Sequence, residues 1–211
     1  MKPTIDYTLY LVTDRDLMST DTLEDAVEAA CKGGVTLVQL REKHASREEF
    51  TDLARSIKQV CDTYNVPLII NDEPEIAAEV GAAGVHVGQE DLEASRVREI
   101  VGADAIIGVS AHNAEEALAA QAAGADYLGV GALVPTATKP DADIVSHDEL
   151  KEIIESVDIP IVAIGGVNEE TIPGLAGIGL AGYSIVSAII AKPDIEQAAH
   201  DLRALIVKVE S

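Results

Sequence analysis

Short apolar segments alternate with longer amphipathic segments along the chain. Runs rich in valine, isoleucine and leucine recur at fairly even intervals, and each is followed by an alanine- and acid-rich stretch with helical periodicity. Several of the short runs are apolar at nearly every position, which is typical of parallel strands covered by helices. We therefore predict eight βα units. The predicted strands are 7–13, 35–40, 66–70, 84–87, 105–109, 126–130, 160–164 and 182–186.

The number of units decides between two α/β architectures. Eight alternations within 211 residues favour a compact (β/α)₈ TIM barrel that forms a single domain over 1–211. An open doubly wound sheet of this size would usually have fewer strands, and it remains the alternative. The predicted helices are 22–32, 47–64, 73–80, 93–101, 113–123, 147–157, 169–178 and 194–209.

The charge of the chain narrows the function classes. With 15 basic and 37 acidic residues the net charge is −22, so the average surface repels phosphate and disfavours nucleic acid and anionic membranes. The acidity fits a solubilising shell, and adaptation to high salt is the alternative. No signal segment or membrane span is recognisable, and Cys31 and Cys61 show no metal-ligand or disulfide pattern. We expect a cytoplasmic protein with two free thiols and leave open whether it forms a homo-oligomer.

Polar residues cluster where the predicted strands end, which is where TIM barrels hold their reacting groups. Alternation along Gln39, Arg41 and Lys43 directs the three side chains to one side of an extended strand end. Two cations and an amide at this place predict a clamp for phosphate or diphosphate. The alternative is a surface basic pair that is matched by neighbouring acids, such as Glu42 and Glu48.

Two aspartates end successive strand units. Asp72 and Asp91 can approach one another across the barrel mouth and share Mg²⁺, which binds one or two carboxylates together with substrate phosphates. Each aspartate alone would be better explained as a helix N-cap. The neighbouring cationic clamp favours the metal interpretation.

The opposite side of the mouth predicts a second anion site. Gly165, Gly166 and Ser187 follow strands seven and eight, where barrels often bind a phosphate through backbone N–H groups. A tight turn that needs positive φ explains the glycines equally well. The long connection 131–146 adds the hydroxyl groups of Thr136 and Thr138 and the cation of Lys139.

Neither histidine near the predicted strand ends indicates covalent catalysis. His86 lies inside an apolar strand, so we interpret it as a core residue. His112 follows Ser110 but shows no defined carboxylate partner, which disfavours a Ser-His nucleophile system.

Taken together, the strand ends resemble those of the thiamine-phosphate synthase family over almost the whole chain. One departure lies in the long connection, which lacks a proline and an aromatic residue that the family usually has before Pro135. The segments that carry the resemblance, in family order, are LYLVTDR, GGVTLVQLREK, IINDEPEIAAEVGAAGVHVGQEDL, IIGVSAHNAEEA, GADYLGVGALVPTATK, IPIVAIGG and VSAI.

The resemblance implies an enzyme of thiamine biosynthesis that joins a hydroxymethylpyrimidine diphosphate to a thiazole phosphate, carboxylated or not, and releases pyrophosphate. It implies a dissociative mechanism through a pyrimidinylmethyl cation. A thiazole tautomerase of the same family and a non-catalytic phosphate-binding barrel are the alternatives. The implied pyrimidine diphosphate contacts are Gln39, Leu40, Arg41, Glu42, Lys43, Asn71, Ser110 and Lys139, of which Arg41, Lys43, Ser110 and Lys139 are catalytic. The implied Mg²⁺ ligands are Asp72 and Asp91, and the implied thiazole phosphate contacts are Thr136, Ala137, Thr138, Gly166, Val186 and Ser187.

Overall fold

The computed structural model describes residues 2–133 and 144–211, and its strands form one closed parallel barrel. The strands are β1 (Leu9–Val12), β2 (Leu37–Leu40), β3 (Leu68–Asn71), β4 (Gly84–Val87), β5 (Ile106–Ala111), β6 (Tyr127–Val130), β7 (Ile161–Ala163) and β8 (Gly182–Ile185). Each strand pairs with its neighbour in sequence, and β8 returns to β1 through the pair of Leu9 with Tyr183. The predicted (β/α)₈ barrel is therefore confirmed, and the open doubly wound sheet is wrong.

Helices follow the strands, with two differences from the prediction. In the described residues they are α1 (Leu23–Lys32), α2 (Arg47–Thr63), α3 (Pro74–Val80), α4 (Ala94–Val101), α5 (Ala114–Ala122), α6 (His147–Ser156), α7 (Ile172–Leu175), α8 (Ser187–Ile190) and α9 (Ile195–Val209). Helix α7 is much shorter than the predicted 169–178, because the Asn168 side chain first accepts two backbone N–H groups in a turn and Gly177 then takes a positive φ of 72°. Helix α8 was not predicted at all. None of these helices is long and apolar enough to cross a membrane.

Side chains alternate between the two sides of the barrel wall. Leu37, Ile69 and Val162 point into the barrel and pack around Tyr10 and Tyr127. Their neighbours along the strands, such as Val38 and Leu40, belong instead to the larger core between the barrel and the helices. Because the period of a strand is two residues, each strand supplies both cores.

The start of α2 is fixed by a reciprocal pair of hydrogen bonds. The Ser46 hydroxyl accepts the N–H of Glu49, and the Glu49 carboxylate accepts the N–H of Ser46 at 2.8 Å. These hydrogen bonds from Ser46 lower the pKa of Glu49. The basic segment that follows β2 is thereby attached to a well-defined helix start.

Gly84→Ala is expected to destabilise the barrel strongly. A Cβ at Gly84 would lie 2.0 Å from the carbonyl oxygen of Ile106 on the paired strand, and a ladder backbone cannot retreat without breaking hydrogen bonds. We expect the free energy of unfolding, measured by urea denaturation, to fall by about 3 kcal/mol. The control is Gly174→Ala, because no atom lies within 4 Å of a Cβ built there. Equal urea midpoints for the two variants would contradict this account of strand packing.

Candidate active site

Closure of the barrel brings the polar strand ends to one mouth. Gln39, Asn71 and Ser110 lie at or next to the carboxyl ends of β2, β3 and β5. Gln39 and Asn71 are buried, with 3% and 8% of their surface exposed. In a parallel barrel these ends share one face, which is the face that carries chemistry in enzymes of this architecture.

A chain of hydrogen bonds runs through the barrel and ends at Ser110. The Gln39 amide donates to the hydroxyl of Tyr10 at 2.6 Å, and Tyr10 is bonded to the hydroxyl of Tyr127 at 2.8 Å. The ring of His86 then bridges Tyr127 and Ser110, with Nδ1 2.9 Å from the phenol oxygen and Nε2 3.1 Å from the serine oxygen. Burial raises the pKa of both tyrosines, so the two phenols stay neutral.

Two glycines make room for this chain. A Cβ at Gly108 would lie 2.2 Å from the ring of Tyr127 and 2.4 Å from Nδ1 of His86. A Cβ at Gly129 would lie 3.1 Å from the His86 ring. Glycine inside a strand marks such close approach, and it is the sequence signal that points to a crowded polar interior here.

His86 has a closer relation to the site than the sequence indicated. It is buried, as expected of a core histidine. However, it also contacts Ser110, which the resemblance implicates in substrate binding. Sequence reasoning missed this contact because strands β4 and β5 are separated by a whole helix in the chain.

His112 also differs from the expectation. Its Nδ1 lies 3.0 Å from the carboxylate of Glu116, so a carboxylate partner is present where the sequence showed none. Ser110, however, is hydrogen-bonded to His86 rather than to His112. A triad of Ser110, His112 and Glu116 is therefore not assembled in this structure.

The basic segment after β2 is held at three points. The N–H of Arg41 donates to the Thr13 hydroxyl at 3.0 Å, and the Lys43 ammonium donates to Asp72 at 2.7 Å. Glu42 forms an ion pair with Arg15. Lys43 is thus paired with an acid, Asp72, whereas neither cation of the segment is paired with Glu42 or Glu48. Within the described residues, the Arg41 guanidinium has no hydrogen-bond or ion-pair partner.

Asp72 and Asp91 interact, and neither is a helix N-cap. The N-cap residues of α3 and α4 are Glu73 and Glu93. Asp72 has a φ of 63°, in the left-handed region that non-glycine residues rarely adopt. Asp91 accepts the N–H of Gly88 at 2.7 Å. Desolvation is the largest cause of the raised pKa of Asp91, and the adjoining Asp72 carboxylate raises it further. The Asp72 carboxylate thus disfavours the charged form of Asp91, and a hard divalent cation relieves repulsion of this kind.

The opposite side of the mouth is built largely from backbone. Gly165 and Gly166 have φ values of 84° and 75°, so the tight turn is confirmed, and the Gly166 carbonyl is fixed by the Thr171 hydroxyl at 3.1 Å. Val186 directly precedes α8, and Ser187 is exposed as its first residue. The first N–H groups of a helix have no acceptor inside it, which suits them to an anion.

Leu40 and four implied contacts outside the described residues add no described side chain to the mouth. The Leu40 side chain is fully buried in the core that faces the helices, so only its backbone can reach a ligand at the mouth. The remaining implied contacts lie outside the described residues: Thr136, Ala137, Thr138 and Lys139.

The fold and the mouth place the protein in the class of (β/α)₈-barrel enzymes, and similar proteins narrow that class. A family model described as "Thiamine monophosphate synthase" matches residues 9–189. The thiamine-phosphate synthase of Clostridium beijerinckii is 56% identical over 99% of this chain and 100% of its own. That of Ruminiclostridium cellulolyticum is also 56% identical, over 98% and 99% of the two chains. The thiamine phosphate pyrophosphorylase of Pyrococcus furiosus superposes with a TM-score of 0.90 at 34% identity, with 98% of each chain covered. The chain belongs to the thiamine monophosphate synthase family.

Tyr127→Phe is expected to destabilise the barrel interior. The change removes the central hydroxyl of the buried chain and leaves Tyr10 and His86 each short of a hydrogen-bond partner. Because buried polar groups without partners are costly, we expect the free energy of unfolding to fall by about 2 kcal/mol in urea titrations. The control is Tyr64→Phe, which removes a hydrogen bond to Glu28 near the surface. A smaller loss for Tyr127→Phe than for Tyr64→Phe would refute the importance of the buried chain.

Proposed function

We propose that the chain joins hydroxymethylpyrimidine diphosphate to a thiazole phosphate, giving thiamine phosphate and pyrophosphate. The observation that carries this proposal is the arrangement of Arg41, Lys43, Asp72 and Asp91 at one side of the mouth. A diphosphate needs cationic partners, and a diphosphate that also binds Mg²⁺ needs carboxylates beside them. Membership of the family supports the same reaction.

The pyrimidine ring of the diphosphate substrate is proposed to lie over Gln39, Asn71 and Ser110. Hydrogen bonds to Tyr10 and His86 orient the first and the last of these side chains before any ligand binds. A pre-oriented site loses less conformational entropy on binding, which favours productive placement of the reacting carbon. The thiazole phosphate is proposed to bind across the mouth, at Gly166, Val186 and Ser187 and at the Thr136, Ala137 and Thr138 segment.

The reaction is proposed to be dissociative. The bond between the pyrimidine methylene carbon and the diphosphate oxygen breaks with its electron pair, which leaves with pyrophosphate, and the thiazole nitrogen then bonds to the cationic carbon. The guanidinium of Arg41 and the ammonium groups of Lys43 and Lys139 stabilise the charge that develops on the leaving oxygen. No protein nucleophile is required in this scheme.

Asp72 and Asp91 are proposed to hold Mg²⁺. The raised pKa of Asp91, to which the Asp72 carboxylate contributes, fits a pair of oxygen ligands, and the substrate phosphates and water would complete the shell. When bound, the ion neutralises charge on the diphosphate. Lys43 connects the proposed clamp to the proposed metal ligands, because its ammonium contacts Asp72.

One assay tests the reaction itself. Purified protein is incubated with both substrates and Mg²⁺, and thiamine phosphate and pyrophosphate are measured together. Equal amounts of the two products are expected, and omission of either substrate should abolish both. Isomerisation of the thiazole alone would instead identify a tautomerase, and binding without any product would identify a non-catalytic barrel; either result would reject the proposal.

Asp72→Asn and Asp91→Asn are expected to weaken the affinity of the enzyme for Mg²⁺. Asparagine preserves shape and tolerates the left-handed backbone of residue 72, but it removes the ligand charge. We expect the Mg²⁺ concentration for half-maximal rate to rise at least about tenfold in each variant. Asp62→Asn, which disturbs an exposed ion pair with Lys58, is the control. Mg²⁺ titrations that match the unmodified enzyme in both site variants would reject the metal assignment.

A further inference from the structure

The loops that follow β1 and β2 remain joined beyond the ends of the strands. The N–H of Thr13 donates to the carbonyl of Gln39 at 2.9 Å, and the hydroxyl of Thr13 accepts the N–H of Arg41 at 3.0 Å. One step further, the guanidinium of Arg15 contacts Glu42. The two loops are thus paired residue by residue up to the basic segment.

Arg15 and Glu42 form a bidentate ion pair. Nε of Arg15 lies 3.3 Å from one carboxylate oxygen, and Nη2 lies 3.2 Å from the other. The fork of a guanidinium matches a carboxylate in this way and fixes its direction. Only 7% of the Glu42 side chain is exposed, whereas half of the Arg15 side chain is. Arg15 is therefore the principal neutralising partner of a poorly hydrated carboxylate.

Glu42 stands between the two cations of the proposed clamp. Arg15 draws its carboxylate towards the β1 side, while Asp72 draws Lys43 towards the β3 side. The Arg41 guanidinium has no hydrogen-bond or ion-pair partner among the described residues. The segment is thus held from both sides in a form that leaves one cation ready for an anion.

Removal of Arg15 would change this balance. An unpaired and poorly hydrated carboxylate is costly and is free to turn towards another cation of its segment, where Arg41 and Lys43 are its neighbours in the chain. The carboxylate would then compete with a diphosphate for the same groups and would also repel it.

We propose that Arg15 is a positioning residue for the diphosphate site, which holds the Glu42 carboxylate away from Arg41 and Lys43. The proposal rests on the proposed function for the identity of the anion. It assigns Arg15 no contact with substrate, so its effect passes entirely through Glu42.

Arg15→Ala is expected to raise KM for the pyrimidine diphosphate about fivefold, a size set by the loss of one favourable charge pair near the surface. KM for the thiazole phosphate should change less than about twofold, because the other side of the mouth is untouched. In contrast, kcat should fall together with the affinity for the diphosphate, because Arg41 and Lys43 also stabilise the leaving pyrophosphate. Arg55→Ala is the matched control: its side chain is equally exposed and pairs with Glu79 and Asp52, on the outer helices. It should leave all three constants unchanged.

A double-mutant cycle separates positioning from simple structural support. In a Glu42→Gln background the Arg15→Ala change should alter KM for the diphosphate less than about twofold, since no carboxylate remains to be held. Arg15→Lys, which keeps the charge but loses the fork, should lie between the unmodified enzyme and Arg15→Ala. An equal rise in KM with and without Glu42, or a lower melting temperature with unchanged KM, would overturn the proposal.

Binding of pyrophosphate with Mg²⁺, measured by calorimetry, tests the inference without turnover. Arg15→Ala should weaken this binding about fivefold, and Arg55→Ala should not. If the unmodified protein makes no thiamine phosphate but the two variants still differ in this way, the proposed function fails and the role of Arg15 stands. If the enzyme is active and Arg15→Ala binds pyrophosphate normally, the role of Arg15 is refuted and the function stands.

Discussion

The alternation of side chains across a closed barrel wall is the constraint on which the rest of the structure depends. In β2, Leu37 and Gln39 face the interior while Val38 and Leu40 face the helices. A shift of one residue would exchange these sets, burying Leu40 at the mouth and placing the Gln39 amide against apolar helices. Because all eight strands are paired in one ring, no strand can shift alone. The positions of the polar groups at the mouth are thus fixed by the packing of the apolar groups on the other side.

The polar chain in the barrel interior works under the same constraint. Tyr10, Tyr127 and His86 fill space that aliphatic side chains occupy elsewhere in the interior, and they are tolerated because each finds a hydrogen-bond partner. A satisfied buried network is rigid, since any rotation leaves a polar group without a partner in a medium of low dielectric constant. The chain therefore connects the packed base of the barrel to Ser110 and fixes that hydroxyl before substrate arrives. Gly108 and Gly129, which make room for this network, lower the local stability of their strands.

Sequence reasoning predicted reliably those elements whose residue pattern follows from local burial alone. The apolar periodicity predicted every strand, because burial on both faces leaves an unbroken apolar run. It failed where structure depends on partners far apart in the chain or on a special backbone. The pair of Arg15 with Glu42 spans two loops, and the left-handed conformation of Asp72 is set by tertiary context. Helix α7 was predicted too long because the helical period continues through the turn at Asn168. The residues of the mouth were predicted as candidates, whereas their mutual contacts required the fold.

A chain with a net charge of −22 can attract a diphosphate only where local charge opposes the average. At the proposed diphosphate site the two carboxylates beside the cations are each held in an ion pair, Glu42 with Arg15 and Asp72 with Lys43. An acidic neighbour in an ion pair presents a dipole rather than a full charge, and its field falls off faster with distance. In the proposed metal site Asp72 has a second role, because together with Asp91 it would supply oxygen ligands to a cation whose shell the diphosphate completes. At the proposed site, affinity for a diphosphate therefore depends more on how the acidic residues are paired than on the number of basic residues.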